Sequence, residues 1–171
     1  MLNAKTLYIS LATAALVALA SPTTADELAD PAGNVILEVR GHIANTNGDG
    51  VARFDRPMLE ALGVQEITTT TPWHDGDVVF AGVPLAALLD AVGADGETLI
   101  ATAANDYSVE LDSSEMREND VLMAMRENGE IMRLRDRGPI WIVFDRETHP
   151  EYRDEAHNYK WIWQLTTLEV R

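Results

Sequence analysis

Apolar and polar positions alternate along most of the chain, and the alternation predicts strands. Residues 35–43 (VILEVRGHI) carry β-branched side chains at alternating positions and read as the first strand. Residues 44–53, rich in Gly and Asn, read as a loop. A helical signal follows: Asp55 is a good N-cap, Pro57 suits a first turn, and Gly63 ends the helix. Residues 65–71 and 78–81 read as extended. Pro84 then opens a second helix, LAALLDAV, which Gly93 stops. Beyond this point strands dominate, at 98–103, 107–111, 121–126, 130–134, 140–144 and 160–170. Asn128-Gly129 marks a hairpin between two of them, and Ser113-Ser114-Glu115 begins a short helical turn. The sum is an α+β domain, mainly mixed β-sheet with two or three short helices packed on it.

The first residues follow a different pattern. Lys5 lies in a short, positively charged start, Leu7 to Ala20 form an apolar run, and Ser21-Pro22-Thr23-Thr24-Ala25 supplies small residues and a helix breaker. That is the layout of a cleavable export signal, and the apolar run falls short of the roughly 20 residues that span a bilayer. The expected organisation is a signal peptide at 1–25, a polar leader at 26–34 and one domain at 35–171, working in the periplasm or outside the cell. No twin-Arg pair precedes the apolar run, so the expected export route threads an unfolded chain. Any ligand would then be acquired after export.

Composition narrows the classes of partner. The chain has 13 basic and 28 acidic residues, a formal net charge of −15. Such a charge repels nucleic acid and anionic membrane surfaces. There is no Cys, so neither a disulfide nor a thiolate metal ligand can form.

Several stretches invite a chemical reading. Asn45 to Gly50 imitates the first half of a calcium loop, but position 12 is Arg56 where a bidentate Glu is required. The four His residues (His42, His74, His149, His157) show no helical metal spacing. No Ser sits in a nucleophile elbow, and no pair of carboxylates stands out. His74-Asp75 is a base beside an acid, although adjacency seldom orients two side chains correctly. Trp73 falls in a polar turn where no core position is expected, so it reads either as a ligand contact or as packing. Trp141, Trp161 and Trp163 lie in strand patterns and read as core. Asn105-Asp106-Tyr107 reads as a turn between strands. Arg133, Arg135 and Arg137 alternate, which on a strand puts three guanidinium groups on one face. They are either a site for an anionic or planar ligand or a solvated face paired with carboxylates.

Taken in order, these segments resemble the sulfite-oxidase-type molybdopterin-binding domain. Phe80-Ala81-Gly82-Val83-Pro84-Leu85 with Leu88-Leu89 resembles that family's aromatic-x-Gly-Val-x-Leu lead into a helix. Ala104-Asn105-Asp106-Tyr107 resembles its Asp-Gly-Tyr turn. Val121-Leu122-Met123-Ala124 with Asn128-Gly129 resembles its hairpin. Arg137-Gly138-Pro139-Ile140-Trp141-Ile142-Val143 and Lys160-Trp161-Ile162 resemble its later segments. The resemblance runs over nearly the whole of 35–171 and implies that family's fold.

The chain also departs from the family. Enzymes of this type ligate molybdenum through a Cys, and the corresponding region here is Thr69-Thr70-Thr71-Pro72-Trp73. A hydroxyl is a poor substitute for a soft thiolate. Trp141 stands where the family usually has Arg, and Glu155, Ala156 and His157 stand where basic residues hold the cofactor phosphate. The resemblance is therefore to small exported pterin-binding proteins of this fold that lack the Cys. It implies an unmetallated pterin rather than molybdopterin as ligand, held by Thr70, Thr71, Trp73, Asn105, Asp106, Tyr107 and Arg137, with no catalytic or metal-ligating residue. It also implies a partner, the periplasmic part of a membrane sensor that sets cyclic-di-GMP turnover. The alternative is a molybdopterin-dependent oxidoreductase with a Cys-free metal site.

Overall fold

The computed structural model describes residues 28–171; the expected export signal lies outside them. In chain order the elements are β1 (Leu37–Gly41), β2 (Ala52–Phe54), α1 (Arg56–Glu60), β3 (Gln65–Thr70), β4 (Asp77–Pro84), α2 (Leu85–Ala91) and β5 (Thr98–Ala103). They continue with β6 (Ser108–Asp112), α3 (Ser113–Glu118), β7 (Leu122–Glu127), β8 (Glu130–Ile131), β9 (Trp141–Val143) and β10 (Leu165–Val170). Tight 3-10 turns occupy Leu134–Asp136, Pro150–Arg153 and Glu155–Lys160.

The strands form two sheets. One has the order β2-β1-β10-β5-β6, in which β1 and β10 run parallel and the other pairs antiparallel. The other has the order β3-β4-β7-β8, with β9 also paired to β7. The fold is the mixed-sheet α+β arrangement that the sequence pattern implies. Strand β5 follows its predicted bounds because its alternation is clean: Leu99, Ala101 and Ala103 are buried, and the residues between them are half-buried.

The core lies between the sheets and under α2, and Phe54, Phe80, Trp141, Phe144, Tyr152 and Trp161 are among its largest side chains. The two sheets meet through an isolated bridge between Trp141, at the start of β9, and Trp163, just before β10. Gly82 lies on β4 at a register shift against β7. A side chain there would collide with the Met123 carbonyl oxygen, which gives the Gly of the Phe80–Leu85 motif a packing reason.

Four expectations need correction. The strand read at 130–134 stops at Ile131, and Leu134 opens a 3-10 turn. Residues 44–53 are not all loop, because β2 starts at Ala52 and pairs with β1. The segment 160–170 is not one strand; Lys160 closes a 3-10 turn and β10 begins at Leu165. The three alternating arginines do not share a strand face. Asp136 N–H and Gly138 N–H both donate to the Arg133 carbonyl at 2.8 Å, closing a tight turn. Arg137 takes φ +70°, which turns it away from Arg133 and Arg135.

The expected cap forms. Asp55 accepts from Met58 N–H at 3.0 Å and also from Ala32 N–H and Gly33 N–H, at 3.0 and 2.7 Å. It thereby ties the leader to the start of α1. The Met58 and Gly33 amides hold its carboxyl below its ordinary value of 3.8. A carboxylate depressed on folding adds stability that is complete above the unfolded value and is lost as pH falls through the folded one. Asp55→Ala is expected to lower Tm by about 3–6 °C at pH 7. That gap should close below pH 3.8. Calorimetry of both proteins from pH 7 to 2.5 measures both effects.

Candidate functional site

Trp73 follows β3 in the turn before β4. Thr71 shapes that turn: its Oγ1 accepts from Trp73 N–H at 3.1 Å and lies 2.8 Å from His74 Nδ1. Trp73 is half-buried, and its ring centroid lies 5.2 Å from Trp163, 5.8 Å from Trp141 and 6.0 Å from Trp161. These are the tilted and edge-on contacts that aromatic rings favour. Trp73 is thus both packing and surface, with one side against the core and the other lining a cleft.

The cleft has a volume of about 400 Å³, within the range of small-molecule sites. Trp73, Trp161 and Trp163 wall it on one side, and Tyr107 and Tyr159 stand at its exposed rim. Asn105 and Asn158 supply amide groups. No Lys, Arg, Asp or Glu lines it. Asn105 also braces its own turn, accepting from Tyr107 N–H at 3.2 Å. Two polar atoms in the wall have no partner: Trp161 Nε1 and Asn158 Oδ1 are buried and unspent.

A second cluster lies behind Trp141. His74 Nε2 is 3.1 Å from Glu127 Oε1 and 3.3 Å from Arg137 Nη1. A proton on Nε2 suits the carboxylate, and a bare nitrogen suits the guanidinium. Arg137 also stacks over the Trp141 ring at 5.1 Å. His74 therefore bonds across the fold and not to its sequence neighbour Asp75.

The predicted residues divide between these places. Trp73, Asn105 and Tyr107 line the cleft together. Thr71 and Arg137 belong to the His74 cluster. Asp106 sits at the corner of the turn with φ +65°, exposed and outside the cleft lining. Thr70 ends β3 at the position paired with Asp77. Sequence reading left out Trp161, Trp163, Asn158 and Tyr159. A signal existed for two of them, since Trp161 and Trp163 are spaced i, i+2 in an extended segment and so face one way.

Thr69, Thr71 and Lys160 are all engaged in holding the structure. Thr69 is fully buried; its Oγ1 accepts from Arg146 N–H at 2.9 Å and approaches the Phe144 carbonyl at 3.3 Å. Thr71 is bound to Trp73 and His74. Lys160 is buried in a close ion pair with Glu115, which also accepts from the Tyr152 hydroxyl at 2.9 Å. Asn119 donates to that hydroxyl at 2.8 Å. Burial pushes the Tyr152 phenol well above its ordinary pKa. Among the described residues no group of three or more His, Asp or Glu is placed to hold a metal ion. With no thiolate and no free cation in the cleft lining, the donor set does not fit a phosphorylated molybdenum cofactor.

Two sheets, short helices and an aromatic cleft at their seam define a sulfite-oxidase-like domain. The chain belongs to the oxidoreductase molybdopterin binding domain family, whose model matches residues 55–169. No curated protein matches it in sequence. Among solved structures it is similar to the sulfane dehydrogenase SoxCD from Paracoccus pantotrophus, with a TM-score of 0.58 at 18% identity. The likeness covers 78% of this chain and 37% of that one, so this chain spans little more than a third of it. At that identity the likeness is one of fold.

The Lys160 pair positions the segment that carries the cleft tryptophans. Lys160→Met leaves the Glu115 carboxylate without its cation and is expected to cost about 2–4 kcal/mol in urea unfolding. Adding Glu115→Leu should recover part of that loss. A double variant no more stable than the single one would show that the pair does not act as a unit.

Proposed function

We propose that this protein binds an unmetallated pterin in the aromatic cleft and presents it to a partner, without catalysing a reaction. The observation that carries this is the cleft lining: three indoles, two tyrosines and two carboxamides, with no charged side chain. A pterin is flat and aromatic, with a guanine-like edge of donors and acceptors. Indole faces hold its plane, and Asn105 and Asn158 match its edge.

Family membership supports the ligand class, and the missing Cys supports the absence of metal. The export signal expected at residues 1–25 would put the site of action in the periplasm, where a chain threaded unfolded collects its ligand after folding. By resemblance, the partner is the periplasmic part of a membrane sensor controlling cyclic-di-GMP. The alternative, a molybdopterin-dependent oxidoreductase with a Cys-free metal site, is supported by the family and by the fold shared with a dehydrogenase.

Protein purified from the periplasm is expected to carry a fluorescent pterin and less than stoichiometric molybdenum by elemental analysis. With the ligand removed, added pterin should quench the tryptophan emission, since four indoles surround or adjoin the cleft. Trp73→Ala and Asn105→Ala should each weaken binding about tenfold or more, equivalent to roughly 1.4 kcal/mol. Stoichiometric molybdenum, or unchanged affinity in both variants, would overturn this reading.

A further inference from the structure

The first sheet ends at β6, which pairs with β5 and with no second strand among the described residues. Hydrogen bonds along an antiparallel pair alternate, and two of them set the phase here. Ala103 N–H donates to the Tyr107 carbonyl, and Ser113 N–H donates to the Glu97 carbonyl. Residues 107, 109, 111 and 113 therefore turn their backbone groups toward β5. Ser108 and Glu110 turn theirs outward. A groove of about 580 Å³ runs along this edge, lined by Thr98, Tyr107, Glu110, Asp112 and Tyr159 among others.

Tyr107 and Tyr159, each about half exposed, line both this groove and the aromatic cleft. A chain lying in the groove would therefore border the mouth of the cleft. Exposed strand edges are normally blunted or covered. This one carries the charged Glu110 and Asp112, packs against the Glu155–Lys160 turn across the groove, and keeps outward backbone groups with no strand partner among the described residues.

The charges at the edge select its occupant. Glu110 is exposed, Asp106 stands at the turn before the strand, and neither forms an ion pair among the described residues. Asp112 is occupied in capping α3 through Glu115 N–H at 2.8 Å. Pairing β6 with a second copy of itself would bring like carboxylates together in a chain of net charge −15. A strand with Lys or Arg at alternate positions meets no such repulsion, and it satisfies the backbone groups and the carboxylates together.

We propose that the β6 edge is a docking site for an extended, basic segment of a partner protein, which adds to the sheet as a sixth strand beside the cleft. The inference does not depend on which ligand the cleft holds, and its test is run on ligand-free protein. The isotopically labelled mature chain is titrated with a nine-residue peptide of alternating Lys and Val, and amide shifts and exchange are followed by NMR. The largest shifts are expected at Ser108 and Glu110, with their exchange slowed about tenfold or more. A Glu-Val peptide of the same length should bind at least about tenfold more weakly. So should a Lys-Val peptide whose backbone nitrogens are methylated along one edge, which keeps its charge but removes its donors.

Glu110→Pro removes the outward N–H and spares the ladder to β5, so it should abolish binding. Glu110→Lys keeps the backbone and should weaken binding about tenfold, so the test survives if the proline variant misfolds. Equal binding of the methylated peptide, largest shifts away from β6, or no binding at millimolar peptide would each overturn the proposal.

Discussion

Trp141 is the residue on which the remaining arrangement depends. It is fully buried at the start of β9, bridged to Trp163 just before β10, and surrounded by Phe80, Trp73, Trp161 and His74 at 5.3–6.3 Å between ring centroids. The sheet of β7 and β9 thus meets the sheet of β10 across one indole. The same indole contacts both Trp73 of the cleft and Arg137 of the His74 cluster. Truncating a Trp buried to this extent costs about 3–5 kcal/mol. That is a large share of the 5–15 kcal/mol by which a domain is stable. Packing, cleft and polar cluster therefore cannot vary independently.

The polar side chains around this cluster are committed in the same way. Here Thr69 is committed to the backbone of 144–146, Thr71 to its own turn, and Lys160 to Glu115. These polar groups are spent on holding the backbone and one another in place, and the cleft lining beside them carries no charged side chain.

Much of the framework was legible along the chain. Period-two alternation located β5 and β6 closely, Asn128-Gly129 located the hairpin between β7 and β8, and the Asp55-x-Pro57 pattern located α1 with its cap. Each of these depends on a residue and its near neighbours. The misreadings fell where long-range contacts override local pattern. Arg133 to Arg137 alternate like a strand, but the Arg133 carbonyl takes two amides and closes a turn. Lys160 to Val170 looks continuously extended, yet the burial of Lys160 against Glu115 keeps its first residue in a 3-10 turn. β2 is three residues long and exists because β1 lies beside it.

The sequence by itself determined the α+β class, the strong negative charge, the lack of any sulfur ligand from Cys, and the family through its ordered segments. All of these are properties of residue identity and local spacing. Only the tertiary structure decided which tryptophans line a cleft, because Trp73 and Trp163 are 90 residues apart and meet through the seam between two sheets. It also decided that Asp106 faces solvent and that His74 bonds to Glu127 and Arg137 instead of Asp75. Side-chain partnership across a sheet seam depends on register and packing, which no local pattern encodes.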